Sequence, residues 1–230
     1  LNHPNIARLL DGGVSADGEP YLVLEFVVGS SIDAYCDLGH LGLAQRLQLF
    51  LSVCAAVAHA HQCLVVHRDL KPSNILVNSE GQVKLLDFGI AKLIQADGSH
   101  SASTVRVFTP EYAAPEQVRG GAVTTSVDVY ALGLLLYQLL TGHRPYGSNA
   151  STPAAYEHAI LTQEPQRPSR AAAQADAENN RLAQARRLEP ATLSARLRGD
   201  LDAIVLRALR KEPAQRYASV EAMAADVQCY

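Results

Sequence analysis

The first thirty residues alternate between short apolar runs and breaks rich in glycine and serine. An apolar-rich run at 6–10, an Asp-Gly-Gly turn at 11–13 and an apolar run at 21–28 predict a two-stranded unit. The Gly-Ser-Ser sequence at 29–31 is expected to break the second strand and lead into a helix near 32–36. The chain is therefore predicted to begin with a small β-rich piece.

The hydrophobic period then changes from that of a strand to that of a helix. From 43 to 63, apolar side chains recur at steps of three and four, which predicts a long amphipathic helix. Short apolar runs at 64–66, 75–77 and 83–86 predict three strands, with a turn at 78–81 between the last two. Loop-dense segments on a helical scaffold commonly hold catalytic groups.

The second half of the chain has the pattern of a helical domain. Residues 127–140 are apolar around most of the helix circumference, which predicts a helix buried in the core. This run is shorter than the roughly 20 residues that span a bilayer, so no membrane segment is predicted. Two amphipathic helices are expected at 201–209 and 220–227. Residues 171–187 contain hardly any large apolar side chain and are interpreted as a solvated insertion or a loosely packed helix.

Composition narrows the class of protein without identifying it. The 230 residues suffice for one large domain or two small ones, and 48% hydrophobic with 19% charged residues is typical of a globular protein. The net charge of -3 shows no excess of positive charge, so no nucleic-acid partner is predicted. The cysteines form no C-x-x-C pair, which argues against a zinc site and favours a reducing, cytoplasmic location: Cys36, Cys54, Cys63 and Cys229.

The residues that can carry chemistry are concentrated in three motifs. His-Arg-Asp-Leu-Lys-Pro-Ser-Asn occupies 67–74, Asp-Phe-Gly stands at 87–89, and Ala-Pro-Glu stands at 114–116. A chance match at these spacings is on the order of one in a billion per start position. Together the motifs resemble those of bacterial eukaryotic-like (Hanks-type) Ser/Thr protein kinases. The resemblance implies an α+β, protein-kinase-like fold, with a mainly α-helical large lobe and a residual β-hairpin of the small lobe.

By this resemblance, a small set of residues transfers the γ-phosphoryl group of ATP to a protein Ser or Thr hydroxyl. Asp69 would orient the acceptor hydroxyl and accept its proton, and Lys71 would neutralise charge on the moving group. Asn74 and Asp87 are hard oxygen ligands suited to Mg²⁺, or Mn²⁺, on the ATP phosphates. Thr109 would hydrogen-bond the catalytic Asp and Lys.

The same resemblance places the adenine of ATP at the end of the second predicted strand. Leu24 would be the gatekeeper beside the base, and Glu25, Phe26 and Val27 would form the hinge that hydrogen-bonds it. Leu76 would form the floor under the base. We therefore expect ATP, together with its metal ion, to bind to the chain.

Regulatory and structural residues follow from the same resemblance. Arg68 would bind a phosphate on the serine-rich activation loop, on one of the positions Ser99, Ser101, Ser103 and Thr104. Glu116 and Arg216 would form a buried ion pair, and Asp128 would hold the backbone of the catalytic loop, residues 67–74. The other structural positions are three members of a stacked hydrophobic spine and the glycine of the second motif: Leu9, His67, Phe88 and Gly89.

Two further groups of polar residues support weaker interpretations. His59 and His61 could indicate a metal site, but residues two apart on a helix do not face each other. A set of arginines could indicate a basic recognition face: Arg181, Arg186, Arg187, Arg196 and Arg198. Acidic residues are interspersed among them, which favours a solvated surface instead.

Two functions other than protein kinase remain open. A non-catalytic, pseudokinase-type binding module would use the large lobe as a docking surface. An enzyme that transfers a phosphoryl group to a small molecule would bind its metal ion in the same way. The segment 109–116, however, has the form expected for receiving a protein substrate.

Motifs that the family places further upstream have no counterpart in this sequence. There is no G-x-G-x-x-G, and the only lysines lie in segments assigned to the large lobe: Lys71, Lys84, Lys92 and Lys211. We therefore expect a fragment, with 1–28 as a remnant of the small lobe whose missing part belongs to the full-length chain. Residues 29–230 would be the large lobe, with the activation segment at 87–116 and a variable insertion near 169–198. The isolated fragment is expected to be inactive, because the α- and β-phosphates would lose their main protein cation. A membrane anchor could lie outside it.

Overall fold

The computed structural model describes residues 1–87, 109–146, 152–174 and 176–230. Over these residues the chain forms a mainly helical body with two small antiparallel sheets. This arrangement confirms the predicted α+β class.

The first sheet is a hairpin of β1 (Leu9–Val14) and β2 (Pro20–Leu24), paired antiparallel. The chain reverses between them, where Gly18 adopts a positive φ of 83° that favours glycine. The predicted turn at 11–13 is wrong, because these residues continue β1 and pair with β2. The second glycine of that segment instead leaves the space that the Tyr21 side chain occupies.

The second sheet has the order β3 (Gly29–Ser31), β4 (Ile75–Asn78) and β5 (Val83–Leu85), all antiparallel. The last two strands and the turn between them confirm the prediction. The Gly-Ser-Ser segment was expected to break a strand, but it forms β3. Gly29 allows this pairing, since a Cβ there would lie 2.5 Å from the carbonyl oxygen of Val77.

Of the two other predicted strands, one is absent and one is displaced along the chain. Residues 64–66 form no strand, and the amides of Leu64 and Val65 donate to carbonyls of His61 and Ala60 in the last turns of the preceding helix. Leu64 is 93% exposed there, so its apolar side chain does not mark a strand. The predicted strand at 6–10 is displaced: only Leu9 and Leu10 belong to β1, while the buried Ile6 makes a single parallel bridge to Leu85. Apolar runs of three to five residues were therefore weak indicators of strands in this chain.

Ten α-helices form the body over the described residues, and they include the predicted long amphipathic helix, the buried helix and the two last helices. They are α1 (Ile32–Leu38), α2 (Leu43–Gln62), α3 (Pro115–Val118), α4 (Thr125–Thr141), α5 (Pro153–Thr162), α6 (Pro168–Ala172), α7 (Ala177–Gln184), α8 (Pro190–Leu197), α9 (Asp200–Ala208) and α10 (Val220–Cys229). Helix α4 is buried on nearly all sides and ends at Gly142, whose φ is +81°.

Helix α2 packs against α4, α10 and β5 and forms a second part of the core. In the described part of the chain, α2 is the helix whose length and apolar composition would suffice to cross a membrane. Just over half of its apolar stretch is buried inside the fold, as in the core helix of a globular domain.

The solvated insertion predicted for 171–187 is wrong, and so is the solvated surface predicted for Arg186; the alternative of a helix is present, but several of its side chains are buried. This segment includes α7 and part of α6, and Arg186 within it is 1% exposed. Its guanidinium donates to carbonyls at the end of α4, those of Leu139 and Leu140 among them. A buried arginine that satisfies the free carbonyls of a helix end replaces the apolar side chains that the sequence lacks here. Burial lowers the pKa of Arg186 to about 9.

Candidate active site

A buried carboxylate holds the backbone of the catalytic loop. Asp128, in the first turn of α4, is 1% exposed. It accepts hydrogen bonds from the backbone amides of His67 (2.8 Å) and Arg68 (2.9 Å). Arg68 adopts a positive φ of 68°, a conformation that costs free energy for a non-glycine residue unless other contacts fix it. The two bonds to Asp128 supply such contacts.

A histidine from α2 completes this support. The Nε2 atom of His61 lies 2.7 Å from Oδ2 of Asp128, so the carboxylate has partners on both oxygens. His61 is therefore the third partner of Asp128, whereas the neighbouring His59 stacks on His3. Among the described residues no group of three or more His, Cys, Asp or Glu side chains could hold a metal ion.

The first residue of the loop packs into the core. His67 is fully buried, and its Nε2 atom lies 2.9 Å from the carbonyl oxygen of Leu86. Burial lowers the pKa of His67, because a charged imidazolium would lose its hydration. Leu9, by contrast, is 52% exposed on β1 and lies outside the buried core that contains α2 and β5.

Three side chains meet above the loop, and we call Asp69, Lys71 and Thr109 the catalytic cluster. The Nζ atom of Lys71 lies 3.1 Å from Oδ2 of Asp69 and donates to Oγ1 of Thr109 at 2.8 Å. The Thr109 hydroxyl in turn donates to Oδ1 of Asp69 at 3.2 Å. Each oxygen of Asp69 thus faces a donor, which fixes the orientation of the carboxylate. All three side chains are partly exposed.

Asn74 joins the catalytic cluster to the strand that precedes Asp87. Its Nδ2 atom donates to the carbonyl of Asp69 at 2.9 Å, which leaves Oδ1 as the acceptor of the side chain. Its own carbonyl accepts from the amide of Leu86 at 2.8 Å. This bond brings Asn74 next to Asp87, which is exposed and has a positive φ of 46°. Within the described residues the Asn74 Oδ1 atom accepts no hydrogen bond, and amide and carboxylate oxygens are the hard ligands that Mg²⁺ prefers.

The predicted hinge follows directly after β2. Leu24 ends this strand, and the amide of Glu25 donates to the carbonyl of Arg8. The Glu25 carboxylate lies 3.0 Å from Nζ of Lys84 on β5, and this bond lowers the pKa of Glu25. Val27 is half-buried, whereas Phe26 is 89% exposed. Sequence reasoning missed Lys84, although it stands between two buried positions of a strand and so had to point to the other face.

The end of the activation segment is tied to the last part of the chain by a buried ion pair. Glu116 and Arg216 face each other with two bonds of 2.7 Å. The guanidinium also donates to three backbone carbonyls and lies 4.9 Å from the centre of the Tyr130 ring. All five N–H donors of the buried Arg216 guanidinium therefore have an acceptor.

Two other predicted site residues, Leu76 and Arg68, lie in partly buried positions. Leu76 is half-buried on β4. Arg68 is half-buried, and its carbonyl accepts from Nε2 of Gln117 at 3.1 Å. The remaining predicted positions lie outside the described residues: Phe88, Gly89, Ser99, Ser101, Ser103 and Thr104.

Comparison with known proteins agrees with the motifs. The protein kinase domain family matches residues 1–227. The serine/threonine-protein kinase PknB of Mycobacterium leprae is 35% identical over 99% of this chain and 33% of its own length. The serine/threonine-protein kinase pkn3 of Myxococcus xanthus is 37% identical over 99% of this chain and 39% of its own length. The chain thus spans about a third of the length of these relatives. It belongs to the protein kinase family, and its relatives are bacterial Hanks-type Ser/Thr kinases.

Proposed function

We propose that this chain carries the catalytic machinery of an ATP-dependent Ser/Thr protein kinase. The observation that carries the proposal is the catalytic cluster, in which Asp69 is oriented by Lys71 and Thr109. Phosphoryl transfer depends on positioning and charge neutralisation more than on covalent catalysis. A fixed carboxylate beside an ammonium group meets both needs.

Within this proposal, Asp69 is the group that accepts the proton of the substrate hydroxyl. Its two oxygens are held by a cation and a hydroxyl, so the carboxylate points in one direction. Lys71 sits on the same carboxylate and stabilises negative charge as the phosphoryl group moves. Thr109 fixes the distance between the two.

Asn74 and Asp87 are the residues that would hold the metal ion. They provide two protein oxygens, and phosphate and water oxygens would supply the rest. Mg²⁺, for which Mn²⁺ could substitute, neutralises charge on the ATP phosphates when bound. For the base, we assign the backbone of Glu25 and Val27 as hydrogen-bonding hinge, with Leu24 beside the ring and Leu76 beneath it.

The half-buried Arg68 is the group we assign to regulation. It directly precedes Asp69, so a phosphate bound to its guanidinium would act on the catalytic loop itself. The proposed acceptors are Ser101, Ser103 and Thr104. We further propose a cytoplasmic protein that acts on protein substrates and binds no nucleic acid, in keeping with its small negative charge.

A pseudokinase-type binding module is the second candidate. It would not need the polar contacts of the active site, yet Asp69, Lys71, Asn74 and Thr109 form one connected hydrogen-bond network. The catalytic proposal explains this network, and the binding module does not.

The test uses the full-length protein that contains this chain, with γ-labelled ATP, Mg²⁺ and a generic protein acceptor. We expect label on Ser or Thr, and Asp69→Asn should lower the rate at least 100-fold. Asp17→Asn, in the exposed turn between β1 and β2, serves as the matched control and should keep the rate. Equal inertness of the parent and Asp69→Asn would favour the binding module, and label confined to tyrosine would contradict the proposed acceptor.

A further inference from the structure

The catalytic cluster borders a cavity of about 360 Å³ that none of the assigned roles uses. Lys71 and Thr109 line it. The lining also includes two carboxylates, a phenol, an amide and a guanidinium: Asp33, Glu111, Tyr112, Gln138 and Arg144. An extended peptide advances about 3.3–3.6 Å per residue, so this cavity is within reach of side chains close to a hydroxyl held at Asp69.

The Asp33 carboxylate of the cavity is fixed by a chain of hydrogen bonds. The Tyr112 hydroxyl donates to Oε1 of Gln138 at 2.6 Å, and Nε2 of Gln138 donates to Oδ2 of Asp33 at 3.1 Å. The other oxygen of Asp33 accepts from the Ser31 hydroxyl (2.6 Å) and from the amide of Ala34 (2.9 Å). Its orientation is therefore set before any ligand arrives.

All these partners of Asp33 are neutral. In the described part of the chain, Asp33 makes no ion pair with a lysine or arginine, whereas Lys71 is already paired with Asp69. The cavity thus presents an oriented carboxylate that no lysine or arginine of the described residues contacts, although Lys71 and Arg144 also line the cavity.

The second carboxylate of the cavity is only loosely paired. Glu111 lies 3.9 Å from Arg144, and both side chains are more than a third exposed. The Arg144 guanidinium rests 5.7 Å from the centre of the Tyr112 ring. Exposed pairs of this kind contribute little, so a cation from a ligand can replace Arg144 at Glu111 at small cost.

We propose that this cavity is a specificity pocket for a lysine or arginine side chain of the protein substrate, close in sequence to the phosphorylated residue. Asp33 is its main anion, Glu111 its second, and Tyr112 offers a ring face to the cation. Arginine should be preferred over lysine, because its planar fork can bond both oxygens of a carboxylate. The inference rests on the proposed kinase function and deepens it.

The test is a positional peptide scan with the full-length protein. Each peptide has one Ser or Thr acceptor and alanine at the flanking positions, with arginine, lysine, glutamate or phosphoserine placed at one position at a time. We expect kcat/KM to be about tenfold higher with arginine than with alanine at one flanking position. The measured quantity is this arginine-to-alanine ratio, which cancels any general loss of activity in a variant.

Three variants assign the ratio to Asp33. Asp33→Asn keeps an oxygen for Ser31 and Ala34 but removes the charge, and it should bring the ratio close to one. Arg144→Ala removes the competing cation and should keep or raise the ratio. Glu212→Gln, an exposed carboxylate away from the cavity, is the matched control and should leave it unchanged.

The outcomes separate the two proposals. Transfer to the alanine-flanked peptide without any basic preference would overturn the pocket and leave the kinase function standing. A preference for glutamate or phosphoserine that Arg144→Ala abolishes would also overturn it, because Arg144 would then be the recognising group. Absence of transfer to every peptide and to the generic protein acceptor would refute the kinase function, and the pocket with it.

Discussion

The buried ion pair between Glu116 and Arg216 should contribute more to stability than any surface pair of this chain. Their side chains are 11% and 0% exposed, and two bonds of 2.7 Å join them. Arg216→Met leaves the carboxylate buried without its cation, which commonly costs about 3–5 kcal/mol. The three backbone carbonyls that lose a donor add to this cost. We expect Arg216→Met to lower the free energy of unfolding by about 4 kcal/mol.

The assay is equilibrium urea unfolding, followed by far-ultraviolet circular dichroism. With a slope of about 2 kcal/mol per molar urea, the midpoint should fall by about 2 M. The surface pair of Arg144 with Glu111 provides the matched control, and Arg144→Met should cost at most about 1 kcal/mol. The double variant Glu116→Leu with Arg216→Met should be no less stable than Arg216→Met alone, because no unpaired carboxylate then remains in the core.

Two results would refute this reasoning. If Arg216→Met costs no more than Arg144→Met, burial does not strengthen the pair. If the cost of Glu116→Leu alone and the cost of Arg216→Met alone simply add in the double variant, the two side chains do not interact, and the destabilisation arises from lost packing alone.

Three further predictions concern the loop, the hinge and a buried amine. Asp128→Ala leaves two loop amides without their acceptor, so kcat of the full-length protein should fall at least 100-fold, as steady-state kinetics would record. Lys84→Met frees the Glu25 carboxylate and should raise KM for ATP several-fold with little change in kcat. Lys84 holds the pKa of Glu25 below its ordinary 4.5, so the ion pair between the two side chains is fully formed above that pH. The difference in free energy of unfolding between wild type and Lys84→Met should therefore vanish as the pH falls through the lowered pKa. Burial lowers the pKa of Lys211 to about 8, so between pH 8 and 10 the folded state binds fewer protons than the unfolded state. The free energy of unfolding of wild type should therefore rise relative to that of Lys211→Met across this interval, as urea titrations at several pH values would record.

Long periodic segments could be predicted from the sequence with good boundaries. The apolar pattern of α2 extends over five turns and that of α4 over more than four, so single exceptions did not obscure them. Short segments failed for a physical reason. Glycines at 12 and 29 lie inside strands, since their missing side chains make room for Leu22 or for the backbone of Val77. Whether a glycine ends a strand or permits its pairing depends on what lies opposite, and local sequence does not contain that information.

In the candidate active site, too, some residues could be predicted from the sequence and others could not. The motif at 67–74 predicts Asp69 and Lys71 of the catalytic cluster, because the proposed chemistry requires them at a short spacing, whereas Thr109 lies 40 residues from Asp69. The partners that hold those residues are far apart in sequence: 59 residues separate Lys84 from Glu25, and 67 separate His61 from Asp128. Any of several lysines or histidines could have served, so only the folded backbone identifies the partner.

Helix α4 shows how one core element can serve several parts of the site. Its sequence predicts an apolar core helix, yet its few polar groups make the contacts that matter most. Asp128 in its first turn fixes the catalytic loop, and Gln138 near its end fixes Asp33 in the proposed specificity pocket. The last carbonyls of the helix are held by Arg46 and Arg186. Because α4 is rigid and buried along its length, these positions cannot move independently. The distance between the catalytic loop and the proposed pocket is therefore set by the packing of a single helix.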